Sequence, residues 1–347
     1  MNTIKDLDLK DKNILVRVDY NVPLLDKKVE SNLRIRASLP TINYLLENGV
    51  NRIILISHLG RPEGKPNPEF SLEPVAKELE KLLPSQKIGF FDLPKKDEKI
   101  EAPKDTKIIL LENLRFDPGE EANDKDFIKN IINSVDADAF VQDGFAVVHR
   151  AHASTDAVKN FLPVSAGFLL EKEVTNLQKV LEDPKHPVLL IIGGSKVEDK
   201  QPLIDKFVNI ADHILVGGKI SADGYKANNP KIIVANDFDE DAEGNKLDIG
   251  PFSTAEFIKY IENAKTIIWN GVMGKVEDPA FTTASSIIAD AIGKNKNATS
   301  IICGGDTTGF VENYTKNHSD LHYSLISTGG GAALEFLLGK ELPGLKF

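Results

Sequence analysis

The run Val188-Leu189-Leu190-Ile191-Ile192 passes at once into Gly193-Gly194-Ser195-Lys196, and a helical pattern begins at Val197. Five unbroken apolar residues describe a strand buried on both faces, as in parallel sheets. A strand that feeds a glycine turn and then a helix brings free backbone N–H groups and a positive dipole end to one point. Lys196 and Lys200 are four apart and share a face if the helix has begun. The stretch suits a phosphate, although such Gly-Gly turns also serve as plain connections in α/β folds. It matches neither the Walker spacing nor Gly-x-Gly-x-x-Gly.

The same theme recurs along the chain. In the first half, strands over 13–18, 52–57, 107–111 and 139–141 alternate with helices over 33–46, 71–83 and 123–132. In the second half, strands at 213–216, 266–269, 300–302 and 323–326 run into Gly217-Gly218, Asn270-Gly271, Gly304-Gly305-Asp306-Thr307 and Gly329-Gly330-Gly331. A further strand is expected at 231–235, and the acidic stretch 237–248 reads as a solvated loop. Strand and helix in alternation predict an α/β protein with two doubly wound, Rossmann-like parallel sheets. The boundaries expected are 1–165 and 185–347, joined by a long helix and hinge over 166–184. That helix reads either as simple packing or as an interdomain strut.

Ligands of such sheets collect beyond the carboxyl ends of the strands. The loops there carry Asp19-Tyr20-Asn21, His58-Leu59-Gly60-Arg61, Arg115 and His149-Arg150-Ala151-His152, with Arg34 near the start of a helix. Asx-turn chemistry is the plain alternative for Asp19 and Asn21. All seven arginines lie at or before Arg150, whereas later basic side chains are Lys or His. Arg offers a rigid fork for carboxylate or phosphate, and Lys a mobile point charge. Cations converging on one rim repel one another without an anion, so the first half points to a polyanionic substrate. Five glycine-rich strand ends in the second half offer N–H groups to phosphate oxygens. Asp306 is placed to meet magnesium or, alternatively, to cap its helix.

The net charge of −10 argues against nucleic acid and anionic membranes as partners. A single cysteine, Cys303, excludes a disulfide framework and fits a reducing, cytoplasmic setting. No run approaches the length of a membrane span, and the start of the sequence lacks a signal-peptide core. No Ser-His-Asp set, glycosidase carboxylate pair or Cys nucleophile stands out. Direct phosphoryl transfer, which needs positioning and charge neutralisation more than a covalent catalyst, is the economical reading.

The residues that carry these readings resemble phosphoglycerate kinases nearly end to end. The matching stretches are VRVDYNVPL, LRIRASLPTI, SHLGRPEGKP, LLENLRF, HRAHAST, AGFLLEKE, GGSKVEDK, DIGP, WNGVMG, GGDTTG and STGGGAALEFLLGKELPG. The resemblance implies reversible transfer between ATP and the carboxylate of 3-phosphoglycerate, giving ADP and 1,3-bisphosphoglycerate, with magnesium. It implies substrate contacts at Asp19, Tyr20, Asn21, Arg34, His58, Leu59, Gly60, Arg61, Arg115 and Arg150. It implies nucleotide contacts at Gly193, Gly194, Lys196, Lys200, Gly217, Gly218, Asn270, Glu277, Gly304, Gly305, Asp306 and Thr307. It further implies that Asp306 faces the metal, Glu277 the ribose, and Arg34, Lys196, Gly329 and Gly330 the transferring phosphoryl group. A monomer is implied.

The chain also departs from the family pattern. Only twelve residues, Lys219 to Pro230, separate Gly218 from the next strand, where the family usually carries several dozen more. Val272 stands for a usual proline, Lys275-Val276 for Val-Phe, and Cys303 for a glycine. Gln142-Asp143-Gly144-Phe145-Ala146 departs from NDAFG, and the sequence stops at Phe347 without the longer tail that typically returns to the first domain. Weaker or altered base selectivity is therefore expected. A catalytically weak relative that binds phosphorylated metabolites or a protein partner is the alternative.

Overall fold

Apolar runs of four or five residues leave no polar side for solvent, and in the computed structural model, which describes residues 1–347, they form the middle of two parallel sheets. The strands of the first half are β1 (Asn13–Arg17), β2 (Leu24–Leu25), β3 (Lys28–Val29), β4 (Arg52–Ile56), β5 (Ile88–Phe91), β6 (Ile108–Leu111), β7 (Ala139–Gln142) and β8 (Val164–Ala166). Its helices are α1 (Leu33–Glu47), α2 (Glu73–Leu82), α3 (Pro118–Glu121) and α4 (Lys125–Ser134). Six strands form one sheet in the order β5-β6-β4-β1-β7-β8, while β2 and β3 make a separate antiparallel pair. Ile14, Val16, Ile53, Leu55 and Val141 fill the core on one face, with Ile35, Ile42 and Leu45 of α1. Leu15, Ile54, Ile109 and Phe140 fill the other, with Ile128 and Ile131 of α4.

α5 spans Phe168–Glu182, two residues later at its start than expected, because Val164–Ala166 extends the sheet as β8. Its start is anchored within the first unit. Asp143 Oδ1 accepts from the Leu169 N–H at 3.0 Å, and Thr41 Oγ1 from the Phe168 N–H at 2.9 Å.

The second half contains β9 (Val188–Ile192), β10 (His213–Val216), β11 (Ile232–Val234), β12 (Phe238–Glu240), β13 (Lys246–Ile249), β14 (Thr266–Asn270), β15 (Thr299–Cys303) and β16 (Leu325–Ile326). Its helices are α6 (Val197–Phe207), α7 (Gly218–Ala222), α8 (Pro251–Asn263), α9 (Thr283–Lys294), α10 (Gly305–Thr315) and α11 (Gly330–Leu337). The sheet order β11-β10-β9-β14-β15-β16 reverses direction of travel between β9 and β14. That reversal is the switch point at which doubly wound folds take ligands. Trp269, Phe257, Ile267 and Ile288 lie in its core.

Two compact units result, Met1–Lys172 with Glu341–Phe347, and Glu173–Lys340, and the division falls inside α5. The expectation that no tail returns to the first domain is not met. The Gly344 N–H donates to the Val148 carbonyl at 2.8 Å, and Lys159 Nζ to the Pro343 carbonyl at 2.6 Å. The acidic stretch read as a solvated loop is also corrected. It folds as the β12–β13 hairpin, whose Asp248 is buried.

Candidate active site

In the first unit, the loops after β1, β4 and β6 meet the segment 149–155 around a buried ionic network. Arg17 closes β1 and is only 1% exposed. Its Nε donates to Ser154 Oγ at 2.8 Å, and its Nη2 lies 3.2 Å from His58 Nδ1. Glu120, wholly buried, accepts from the Ser154 N–H at 3.0 Å and from its hydroxyl at 2.6 Å. Arg17 and His152 approach the same carboxylate at 4.0 and 3.9 Å. Asp19 takes an ion pair from Arg34 and stands 4.0 Å from His58. Asn21 Oδ1 accepts the Gly60 N–H at 2.9 Å, and Tyr20 is buried with its hydroxyl 2.8 Å from Ser38 Oγ.

Burial and four arginines, Arg17, Arg115, Arg150 and Arg34, hold His58 well below its ordinary pKa. Burial and the same kind of neighbours push His152 down to about 4. Both rings are therefore neutral at neutral pH, and the arginines supply the positive charge. Arg115 Nη1 donates to the Gly60 carbonyl at 2.7 Å, and its Nε pairs with Glu121 at 3.0 Å. Gly60 has φ 61°, and a Cβ there would stand 2.3 Å from the Phe70 ring, so this turn accepts only glycine. Arg61 is exposed and forms no ion pair with the cluster. Arg17 and Glu120 were not among the expected site residues. A lone arginine ending an apolar strand was the available signal for the first, and nothing near Glu120 in sequence marked the second.

In the second unit, the loops after β9 and β14 interlock backbone to backbone. The Gly193 N–H donates to the Asn270 carbonyl at 3.1 Å, and the Gly194 N–H to the Val272 carbonyl at 2.9 Å. A Cβ on Gly271, at φ 108°, would lie 2.1 Å from the Gly193 oxygen, and one on Gly193 2.2 Å from the Val272 oxygen. The four helices that begin at this rim, α6, α7, α10 and α11, have no side-chain cap. Away from the rim, Asp117 caps α3 and Asp124 caps α4. Uncapped N-termini leave N–H groups for an outside acceptor. Asp306 is the second residue of α10 and is exposed, and Gly304 takes the cap position. Its alternative reading as a helix cap therefore falls away.

Gly194, Ser195, Gly218, Lys219, Glu277 and Asp306 line a cavity of about 230 Å³, together with the apolar Phe238, Leu247, Val272 and Met273. Lys200 Nζ donates to Asn270 Oδ1, while Lys196 is exposed. Asn270 is buried and its amide is engaged by protein. Gly217 and Thr307 are buried, and Thr307 Oγ1 accepts the Gly271 N–H at 2.7 Å, so these two shape the rim. Gly305 and Gly330 bring the ends of β15 and β16 together, a Cβ on Gly330 standing 3.6 Å from the Gly305 nitrogen. Glu173 of α5 steadies the last loop, accepting the Thr328 N–H at 2.6 Å and its hydroxyl at 2.9 Å.

A family model described as phosphoglycerate kinase matches residues 4–236 and 222–340. The chain belongs to the phosphoglycerate kinase family. A phosphoglycerate kinase of Moorella thermoacetica is 40% identical over 390 aligned positions, covering 99% of this chain and 98% of that relative. One of Dictyoglomus turgidum is 40% identical over 389 positions, with 99% and 96% covered. Among solved structures, the phosphoglycerate kinase of Coxiella burnetii aligns at TM-score 0.79 and 33% identity, covering 99% of this chain and 97% of that one. That of Pyrococcus horikoshii aligns at TM-score 0.84 and 26% identity, covering 100% and 98%. An alignment of 390 positions against 347 residues means that the relative carries residues absent here. The two family-model matches overlap at 222–236, beside the shortened segment after Gly218.

Proposed function

We propose that the chain catalyses reversible phosphoryl transfer between ATP and the carboxylate of 3-phosphoglycerate, giving ADP and 1,3-bisphosphoglycerate, a step of glycolysis and gluconeogenesis. The observation that carries this reading is the division of charge in a chain that matches the family over its whole length. One unit concentrates Arg34, Arg115, Arg150, His58 and Asp19. The other presents the uncapped N-termini of α6, α7 and α10 around a small cavity.

The triphosphate is assigned to the N–H groups at Gly218, Gly304 and Gly305, with Lys196 and Lys200, while Gly193, Gly194, Asn270 and Thr307 hold the loops that present them. Magnesium arrives with the nucleotide. The chain holds no group of three or more metal-ligating side chains. One carboxylate beside phosphate oxygens is a common magnesium arrangement, and the exposed Asp306 at the phosphate rim fits it. Glu277, on the same cavity, is assigned to the ribose. The acceptor is assigned to Asp19, Asn21, His58, Arg61, Arg115 and Arg150, with Tyr20, Leu59 and Gly60 shaping the loops. Asp19 aims the Arg34 fork, and neutral His58 adds a hydrogen-bonding ring without further charge repulsion. Arg34 and Lys196 then neutralise charge on the transferring group, with the α11 N-terminus at Gly329 and Gly330. No covalent intermediate on the protein is needed. In-line attack requires the two ligands to meet without water, so closure of the units around them belongs to the proposal, with α5 as hinge. The enzyme is proposed to act as a cytoplasmic monomer.

ADP release from ATP, 3-phosphoglycerate and magnesium, followed by a coupled assay, tests the reading. Turnover that depends on 3-phosphoglycerate is expected. No turnover at millimolar substrates from folded protein would refute it.

A further inference from the structure

β14 and β15 pair in parallel with Asn270 opposite Cys303, so the two side chains emerge on one face of the sheet. Asn270 Nδ2 donates to Cys303 Sγ at 3.2 Å, and the thiol in turn donates to the Trp269 carbonyl, 3.6 Å away. Asn270 Oδ1 accepts from Lys200 Nζ. Lys200 Cε lies 3.7 Å from where a Cβ on Gly194 would stand, so the ammonium sits beside the β9 loop. An amide rotated by half a turn would point its NH₂ at that ammonium, donor against donor. With its own hydrogen committed to the Trp269 carbonyl, the sulfur offers the amide only an acceptor and so favours the same orientation. Burial pushes the Cys303 thiol up to about 11, so it stays protonated and keeps its donor.

Building on the transfer reading above, we infer that Cys303 is a positioning residue: its sulfur fixes the Asn270 amide so that Oδ1 holds Lys200 at the phosphate loop. A glycine, which the family pattern places at this position, has no atom that could do so. The register supplies the geometry, since a residue one position away would project from the opposite face.

The test is a double-mutant cycle of Cys303→Ala and Lys200→Ala, read as MgADP affinity by calorimetry and as kcat, with Cys303→Ser alongside. Cys303→Ala is expected to weaken MgADP binding by about three- to tenfold, as for a lost hydrogen bond to a charged network. The same change in the Lys200→Ala background is expected to do nothing further, and Cys303→Ser to stay within about twofold of the parent. If Cys303→Ala loses the fold, Cys303→Val fills the volume without an acceptor and is read in the same cycle. Equal losses in both backgrounds, or no loss in either, overturn the inference. MgADP binding without any turnover refutes the transfer reading alone, because the cycle is still read on binding. No MgADP binding at all refutes both.

Discussion

Arg34→Ala separates a catalytic role from a structural one. The side chain is 35% exposed but its partner Asp19 is only 2% exposed, so its loss is expected to cost about 2 kcal/mol of stability. Turnover is expected to fall by on the order of a hundredfold, as for removal of one charge-stabilising donor. An unchanged kcat would remove Arg34 from the reaction. Glu120→Gln behaves the opposite way. It leaves the Arg17 guanidinium buried without a carboxylate, and the expected cost is about 3 kcal/mol in urea unfolding. An unmoved midpoint would show that Arg17 is satisfied by Ser154 and carbonyl oxygens alone. The cationic loops were legible because Arg and His stand just past apolar runs. Glu120 was not, because its partners are about a hundred residues before it and some thirty after it in the chain.

Asp143 and the histidines His58 and His152 give stability opposite pH trends. Burial pushes Asp143 up to about 7, so the folded protein holds a proton that the unfolded chain releases above 3.8. Stability from this group is lost as pH rises through the window from about 4 to about 7. His58 and His152 are held below 6.5, so the unfolded chain takes up protons first as pH falls, and stability is lost from 6.5 downwards. Asp143→Asn retains an acceptor for the Leu169 N–H and removes the first trend. Relative to the parent, the variant is expected to gain stability between pH 4.5 and pH 8, by on the order of a few kcal/mol. Parallel pH profiles for the two proteins would contradict the raised value.

At the scale of elements, the central strands of both sheets and the edge strands β11 and β16 were readable, and the edge strands of the first sheet were not. β1, β4, β6, β9 and β14 are apolar runs buried on both faces. β5 and β8 lie at the two ends of the first sheet, and β5 contains a glycine and is half-exposed along three of its four residues. β5, broken by its glycine, and β8, Val-Ser-Ala, lack the unbroken apolar run that marked the other strands. The β12–β13 hairpin escaped notice for a related reason, since acidic residues surround its few apolar ones. The interlocked loops after β9 and β14 make a demand that was only half visible, as Gly-Gly marks a turn but not the neighbour pressed against it. Gly271→Ala places a methyl 2.1 Å from the Gly193 oxygen at a backbone angle that L-residues avoid. It is expected to weaken MgADP binding more than tenfold while the first unit keeps its anion affinity. Parent-like MgADP affinity would show that the two loops separate without consequence.

For the whole molecule, the sequence pattern disclosed two parallel-sheet units. It did not disclose that Glu341–Phe347 groups with the first unit, because contacts such as Gly344 to Val148 leave no periodicity to read. On the proposed assignment, the base is left to the cavity lined by Phe238, Leu247 and Val272. A ratio of kcat/KM for ATP over GTP within about tenfold is expected, since apolar contact without paired hydrogen bonds discriminates poorly. Strong adenine preference would contradict this. The central claim is direct transfer from the nucleotide to a carboxylate. It is tested by incubating the enzyme with ATP, magnesium and 3-phosphoglycerate in hydroxylamine, which traps an acyl phosphate as its hydroxamate. One hydroxamate for each ADP formed, and none without enzyme, is the expected result. ADP accumulating without hydroxamate would mean transfer to water and would contradict the assignment.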